Sequence, residues 1–303
     1  MIQYGIPYMG SKNAIAEDIV NALPPSGKIL DACCGGGAVL MALAMSLKYD
    51  KVVGNDLNSA TIKLLDAVLI NKGQIEYEHP EPCSRNDFYL SLQKIENGNF
   101  SVQDCVYKFC GSFGNSGKNY LYGNEIEEYK ILAEKMLTAR TLAERRRYFG
   151  KFVKLCRSGG LIDDVQQLKR LQELEGLERL ERLERLERLE RLERLDCKSL
   201  FDIDYSEFDI VYFDIPYKGT AKYDFEFDYD RFYDLFSSLK IPAFLSEYDA
   251  PFECVSEFEK TQLLGINSKS TTKEKLFFNG SREQYKELMG VNYDQKAEQC
   301  CLL

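Results

Sequence analysis

An acid, a proline and a tyrosine follow one apolar run in the second half of the chain, and their types suit chemistry on an amine. Residues 211–213 are Val-Tyr-Phe, which predicts a buried strand. Pro216 cannot donate to a sheet hydrogen bond, so the strand ends before it and leaves Asp214 at its carboxyl end. Ligands bind at this edge of open α/β sheets. The Asp214 carboxylate and the Ile215 carbonyl could accept both hydrogens of an exocyclic amine, while Tyr217 stacks on its ring.

An amine on an aromatic ring is a weak nucleophile because its lone pair is delocalised into the ring. Two acceptors at fixed angles make the nitrogen more tetrahedral, and holding nitrogen, methyl and sulfur in line supplies much of the remaining rate. The chemistry indicated is transfer of a methyl group from a sulfonium donor to a nucleic-acid base. It requires neither histidine nor metal, which agrees with a single histidine, His79, and with cysteine spacings that do not fit zinc. We expect no bound metal.

A glycine turn near the amino end could hold the methyl donor. An apolar strand at residues 28–31 ends in Asp31 and leads into Gly35-Gly36-Gly37, which lets a ligand approach the backbone closely. Asp56 ends the next strand about 25 residues on, where an acid can bind both hydroxyls of a ribose. The turn lacks the GxGxxG pattern of dinucleotide sites, so we expect S-adenosylmethionine, which has no phosphate. The alternative is that both aspartates only cap helices.

Lys12 follows Gly10-Ser11 near the start of the first predicted helix. A cation is slightly unfavourable at a helix start, which favours a binding role. The carboxylate of the cofactor's amino-acid tail is the partner we expect. A solvated surface lysine is the alternative.

The elements around these residues alternate between strand and helix. Strands are predicted at residues 28–31, 52–54, 210–213, 243–246 and 274–278. A helix with Ile15, Ile19 and Leu23 on one face should end at Pro24, and another should follow the glycine turn. This opening is typical of a Rossmann-like, doubly wound α/β sheet. The catalytic domain is therefore assigned to residues 1–80 and 196–303.

The middle of the chain has a different pattern. Residues 85–160 look helical and are interrupted by a loop at 110–120 that is rich in glycine, aromatic and amide side chains. Residues 101–160 contain 11 Lys and Arg against 6 Asp and Glu, a net charge of +5, whereas the whole chain carries −9. Either a nucleic-acid surface or a merely solvated helical face would account for this charge. Residues 81–160 are assigned to an inserted, mainly helical target-recognition domain.

Residues 161–195 form a low-complexity repeat in which leucine occupies every third position from Leu168 to Leu195, Ile162 and Val165 extend the period backward, and Glu-Arg stands between the leucines from residue 178. A regular strand would send successive leucines to opposite faces. An α-helix turns each leucine about 60° from the last, but Leu, Glu and Arg are strong helix formers, and Glu178–Arg182 and Glu181–Arg185 can pair at i,i+4. We expect a mostly α-helical projection. A compact coil with one stacked leucine row is the alternative, and the final unit, residues 195–197, should lead into a strand.

The chain resembles the Dam-like adenine-specific DNA methyltransferases of bacteria and phages in four blocks that occur in one order: Tyr8-Met9-Gly10-Ser11-Lys12, the turn from Asp31 to Gly37, Asn55-Asp56, and Asp214-Ile215-Pro216-Tyr217. The resemblance implies that Tyr8, Lys12, Asp56 and Asp214 contact S-adenosylmethionine. With the two glycine turns, the expected cofactor-binding residues are Tyr8, Gly10, Lys12, Asp31, Gly35, Gly37, Asp56 and Asp214. The expected catalytic residues are Asp214, Ile215, Pro216 and Tyr217. Ile215 replaces a proline of the family motif, and we expect activity to survive because the carbonyl is retained.

The resemblance also implies that the basic middle segment reads double-stranded DNA. Lys118 and the run Arg145-Arg146-Arg147 are expected to contact phosphates. Asn115, Asn119 and Tyr120 are expected to read base edges. A restriction endonuclease of the same system is a further candidate partner, and the sequence leaves the oligomeric state open.

Two other functions compete with DNA adenine methylation. A methyltransferase of protein glutamine amides can use a similar acid-Pro-Pro-Tyr site, but the basic segment favours DNA. A decayed core that binds partners through the leucine repeat is disfavoured by the intact acids and Lys12. No apolar span of membrane length or signal peptide is visible, and unpaired cysteines suit reduced thiols, so we expect a cytoplasmic protein.

Overall fold

The computed structural model describes residues 4–75, 82–159, 189–217, 227–263 and 269–290, together with residues 176, 178–180, 182 and 183. The chain divides into two compact units. One, here called the helical unit, comprises Gln3–Ser11 and Ser59–Glu187. The other, the sheet unit, comprises Lys12–Asn58 and Arg188–Leu303. The predicted functional boundaries near residues 80 and 160 stay predictions, because compactness does not define function.

The sheet unit contains one mixed sheet of seven strands. They are β1 Ser26–Asp31, β2 Tyr49–Asn55, β3 Leu192–Asp196, β4 Ile210–Phe213, β5 Ala243–Glu247, β6 Glu253–Leu263 and β7 Lys269–Phe278. Their order is β3-β2-β1-β4-β5-β7-β6. The first five are parallel, and β7 runs antiparallel between β5 and β6. The predicted α/β class is confirmed.

The helices that the structure describes are distributed between the two units. They are α1 Ala16–Ala22, α2 Ala38–Met45, α3 Ser59–Leu65, α4 Arg85–Glu96, α5 Val102–Cys110, α6 Glu127–Thr138, α7 Leu142–Gly159, α8 Tyr229–Ser238 and α9 Arg282–Leu288. A π-helical turn at Asp66–Ile70 extends α3. In the described part of the chain, no helix is both long and apolar enough to cross a bilayer.

The strand order reverses between β1 and β4, and this point organises the sheet unit. Strand β1 continues toward β2 on one side and pairs with β4 on the other, with Asp31 opposite Tyr212. Helices that follow neighbouring strands at such a point leave in opposite directions, which opens a crevice at the carboxyl ends. The glycine turn after β1 and Asp214 after β4 therefore lie at the same edge.

An aromatic cluster supports the strand that carries Asp214. Phe213 contacts Phe232 edge-on at 5.2 Å between ring centroids and Phe236 at 5.9 Å. Both partners are fully buried residues of α8. Edge-to-face pairs of this kind add about 0.5–1.5 kcal/mol beyond area burial. The carboxyl end of β4 is thus packed against helix α8.

The last repeat units themselves form strand β3, which ends at Asp196, whereas the sequence predicts that residues 195–197 lead into a strand. Leu192 pairs with Val52 and Leu195 with Gly54, and the register shifts between Val52 and Val53. Val52 and Gly54 are two residues apart and share one face. Leu192 and Leu195 are three residues apart, so a regular strand would place them on opposite faces. The bulge adds one extra residue to β3 and so brings both leucines to the face shared by Val52 and Gly54. A period of three is thus accommodated in a strand.

Part of the repeat packs within the helical unit. The described residues among 176–183 are helical, and Leu180 and Leu183 are buried. Arg179 donates to the carbonyls of Gly5 and Tyr4. The predicted Glu178–Arg182 pair is present, with Nη2 3.1 Å from Oε2. The described residues among 176–183 are helical as predicted, whereas residues 192–195 of the repeat lie in strand β3, and residues 161–175, 177, 181 and 184–188, including Arg185, lie outside the description.

The helical unit is built from capped helices whose sequences specify their starts. Ser101 and Asp104 form a reciprocal capping box at α5, and Ser84 caps α4. Thr141 and Glu144 exchange the same pair of bonds at the start of α7. These local signals account for the success of the helical prediction over residues 85–159.

Candidate functional site

Asp214 is held by a buried lysine of the same unit. Lys12 Nζ lies 2.9 Å from Asp214 Oδ1 and 3.5 Å from Glu274 Oε1. Lys12 is 7% exposed. Burial acts to lower the pKa of Lys12, but the two carboxylates outweigh it and raise the pKa above the usual value. The ammonium is therefore a fixed positive charge beside Asp214.

Tyr217 is positioned by three side chains. Its hydroxyl donates to Glu274 Oε1 at 2.6 Å. Lys12 Nζ lies over the ring, 4.4 Å from its centroid. Tyr248 meets the ring edge-on at 4.7 Å. Burial, followed by the charges of Asp214 and Glu274, raises the pKa of Tyr217 well above its usual value, so the phenol stays protonated.

The turn that carries Asp214 is anchored on both sides. The Ile215 side chain is buried in a hydrophobic cluster of the sheet unit that also contains Phe213 and Phe232. The Tyr229 hydroxyl, at the start of α8, donates to the Pro216 carbonyl at 3.0 Å. The Ile215 side chain thus adds packing to the core beside Asp214.

The glycine turn requires glycine at two positions. Gly35 has φ 47° and Gly37 has φ 76°, a left-handed conformation that other residues rarely adopt. Asn55 pins the turn from the neighbouring strand: its Nδ2 donates to the Ala32 carbonyl at 2.9 Å, and its backbone carbonyl accepts from Cys34 N at 2.8 Å. The turn is therefore a rigid loop at the carboxyl end of β1.

Asp56 supports the same turn. Its Oδ2 accepts from Gly35 N at 2.9 Å and its Oδ1 from Asn58 N at 2.8 Å. Burial raises the pKa of Asp56, the two amides act to lower it, and Asp214 raises it further. Both amides lie before the helices that follow them, α2 and α3, and each oxygen retains a second lone pair for a ligand.

Asp31 is a buried carboxylate without a hydrogen bond. It is 1% exposed, and neither oxygen has a donor in bonding geometry within the described chain. Burial, then the charges of Asp214 and Asp56, raises the pKa of Asp31 well above its usual value, while the amides of Cys33 and Leu40 act weakly in the other direction. An orphaned carboxyl group of this kind is costly and typical of a ligand site.

Tyr8 and Gly10 belong to the helical unit. The Tyr8 ring lies 5.7 Å from the Phe109 ring. Gly10 has φ 82° and is exposed. Both predicted cofactor roles stay predictions.

The loop at residues 110–120 presents only part of its predicted readout set. Lys118 and Asn119 are exposed. Asn115 is half-buried, has φ 55°, and donates from Nδ2 to the Phe109 carbonyl at 3.0 Å. Tyr120 is 5% exposed, and its hydroxyl donates to the Cys83 carbonyl at 2.6 Å. The prediction that Tyr120 reads a base edge is therefore corrected: its ring fills the core of the helical unit.

The three consecutive arginines are exposed on α7. Arg147 lies over the neighbouring Tyr148 ring at 4.9 Å and donates to its hydroxyl at 3.0 Å. Exposed guanidinium groups suit phosphate contacts, so this surface is compatible with the predicted role of residues 145–147.

Sequence reasoning missed Glu274, Tyr248 and Tyr229, which all contact the Asp214 motif. The sequence does contain a signal for Glu274. In Lys273-Glu274-Lys275-Leu276 the acid is two residues from Leu276, so in a strand both side chains lie on the same, buried face. Metal ligands are a separate question: among the residues that the structure describes, no three His, Cys, Asp or Glu side chains cluster as a metal site would require.

Comparison with known families agrees with this geometry. Residues 8–154 match the model of the D12 class N6 adenine-specific DNA methyltransferases. The match includes the Lys12 block, the glycine turn and Asn55-Asp56, and it ends before Asp214. A search of curated proteins found no match. The seven-stranded sheet fits a methyltransferase fold. The predicted family and enzyme class are thus confirmed by a match over just under half of the chain, residues 8–154, to the D12 class of adenine-specific DNA methyltransferases.

Proposed function

We propose that the enzyme transfers a methyl group from S-adenosylmethionine to the exocyclic amine of an adenine that is flipped out of duplex DNA. The observation that carries this proposal is the buried Lys12–Asp214 pair beside the orphaned Asp31 at the strand-order reversal. The match to the family implies the same cofactor.

The residues at the reversal fit S-adenosylmethionine. The unpartnered Asp31 carboxyl can accept from an ammonium or hydroxyl group. Gly35 and Gly37 leave the backbone open to close approach, and Asp56 has lone pairs left for ribose hydroxyls. We assign Tyr8 and Gly10 to the same cofactor on the family resemblance. When bound, the cofactor supplies an electrophilic methyl group on a sulfonium.

Lys12 has a second role in this proposal. An ammonium has three donors, so pairing with Asp214 and Glu274 is compatible with a contact to the cofactor's carboxylate.

Asp214 acts on the amine. Its carboxylate and the Ile215 carbonyl accept the two amine hydrogens, and Lys12 orients the carboxylate through their ion pair. Tyr217 stacks on the adenine through the ring face that Lys12 does not occupy. Pro216 ends the strand so that these groups project from its end.

DNA recognition is assigned to residues 81–160, and catalysis to residues 1–80 and 196–303. Lys118 and Arg145-Arg146-Arg147 contact phosphates in this proposal, and Asn119 reads a base edge. Asn115 shapes the loop through its bond to Phe109. The 161–195 repeat plays no part in the chemistry. The candidate partner is a restriction endonuclease, because methylation of adenine would protect DNA from its cleavage.

The test is incubation with tritiated S-adenosylmethionine and unmethylated double-stranded DNA, with Asp214→Ala beside wild type. Label on adenine that disappears in the variant supports the proposal. Label on a protein and none on DNA would overturn it.

A further inference from the structure

Glu274 is a buried acid in a strand that otherwise buries apolar side chains. Its neighbours in β7 alternate, so Glu274 shares a face with Leu276 and Phe278, both buried. Glu274 is 1% exposed. Burying a carboxylate costs more than burying leucine unless it is paired and hydrogen-bonded. Packing alone therefore does not explain why a glutamate occupies this buried position.

The contacts of Glu274 lead to the Asp214 motif. Oε1 accepts the Tyr217 hydroxyl at 2.6 Å and lies 3.5 Å from Lys12 Nζ. Lys12 in turn lies over the Tyr217 ring and is 2.9 Å from Asp214. One carboxylate oxygen thus joins the stacking ring to the ammonium that orients the amine acceptor.

The antiparallel course of β7 explains how Glu274 reaches this place. Glu247 is the last residue of β5 and pairs with Lys275. Residues of β7 before Lys275 therefore extend beyond the end of β5, on the edge where Asp214 lies. The side chain of Glu274 arrives at the motif from a strand that follows it by 57 residues in sequence.

We propose that Glu274 is a positioning residue for methyl transfer, which holds the Tyr217 ring through its hydroxyl and shares Lys12 with Asp214. This inference rests on the proposed function. Glu274 touches neither amine nor methyl group in this scheme. Without it, the Tyr217 hydroxyl loses its acceptor and the ring can rotate, while Lys12 pairs with Asp214 alone. Misplacement of about 1 Å in such a site costs about 100-fold in rate.

The experiment compares Glu274→Ala, Glu274→Gln and Tyr217→Phe with wild type in single-turnover methylation of DNA, at saturating enzyme and cofactor. Glutamine keeps an oxygen acceptor for the tyrosine hydroxyl. The matched control is Glu257→Gln, which removes an exposed carboxylate from the same hairpin, paired with Lys273 at 3.4 Å. Calorimetric titration with S-adenosylmethionine reports whether the cofactor site stays intact.

We expect Glu274→Ala to slow methyl transfer about 100-fold and Glu274→Gln to stay within about 10-fold of wild type, with cofactor affinity changed less than about 3-fold in both. Tyr217→Phe combined with Glu274→Ala should be no slower than the slower single variant, because both remove one hydrogen bond. Full speed in Glu274→Ala, equal loss in the Ala and Gln variants, or equal loss in Glu257→Gln would overturn the role of Glu274 while leaving the proposed function standing. A wild-type chain that labels no DNA would overturn both.

Discussion

Replacing Glu134 by glutamine should remove a pH dependence from the stability of the helical unit. Glu134 lies in α6 and is 1% exposed. Its Oε1 accepts the Tyr122 hydroxyl, and its Oε2 has no hydrogen-bond partner within the described chain. Burial raises the pKa of Glu134 to about 7 against the ordinary 4.5, although Tyr122 and Lys130 act to lower it. The folded chain therefore keeps a proton that the unfolded chain releases at lower pH.

The sign and size of the effect follow from this difference. The stabilisation that protonated Glu134 gives the folded chain is fully present below pH 4.5. It falls as the pH rises toward the pKa of Glu134 in the folded chain and is lost above about 7. The shift corresponds to about 3 kcal/mol. Glutamine resembles the protonated form, since its oxygen still accepts from Tyr122. Glu134→Gln should thus match wild type near pH 4 and exceed it by about 3 kcal/mol near pH 8.

Urea denaturation at several pH values between 4 and 8 measures the difference. The chain has no tryptophan and 19 tyrosines, so circular dichroism and tyrosine emission are the signals. If the units unfold separately, the shift belongs to the transition of the unit that contains α6. Glu128→Gln, at an exposed position of the same helix, is the control and should change stability by less than about 0.5 kcal/mol at every pH. A difference between Glu134→Gln and wild type that does not vary with pH would refute the reasoning.

Three further substitutions test other parts of the structure. Gly54→Ala would place a Cβ 2.7 Å from Leu195 Cδ2, so we expect a loss of about 1–3 kcal/mol by thermal denaturation; unchanged stability would speak against the pairing of β3 with β2. Ile215→Ala deletes a buried side chain and should lower the free energy of unfolding by about 2–4 kcal/mol. Methylation at low temperature should survive because the backbone carbonyl is kept, and complete inactivity of the folded variant would contradict this. Lys118→Ala should lower the slope of log affinity against log salt by about 1 and weaken binding to all DNA sequences alike, as measured by fluorescence anisotropy; an unchanged slope would remove Lys118 from the phosphate contacts.

Local sequence signals were sufficient where the structure depends on a few neighbouring residues. The strand before Asp214 was predictable from its apolar run and Pro216, because proline ends a ladder regardless of the rest of the fold. The glycine turn was predictable because Gly35 and Gly37 adopt backbone angles that other residues avoid. Helix starts in the middle segment were marked by capping residues, whose hydrogen bonds span three positions.

The roles of individual side chains in loops were less predictable. Tyr120 and Lys118 lie two residues apart in one polar loop, and composition does not distinguish them. Tyr120 is buried and its hydroxyl donates to the Cys83 carbonyl, whereas Lys118 is exposed. The direction of each side chain depends on what packs beneath the loop, and that partner, Cys83, is distant in sequence.

The sequence by itself determined the α/β class and the sheet edge where Asp214 lies, and it predicted the family, since these follow from periodicity, glycine and proline positions and short motifs. Only the tertiary structure decided that Glu274 joins Tyr217 to Lys12, that a β-bulge fits the last repeat units into β3, and that Asp31 has no hydrogen-bond partner among the described residues. Each of these depends on strand order and register across long stretches of chain. Such pairings are set by the packing of the whole sheet, and no local pattern encodes them.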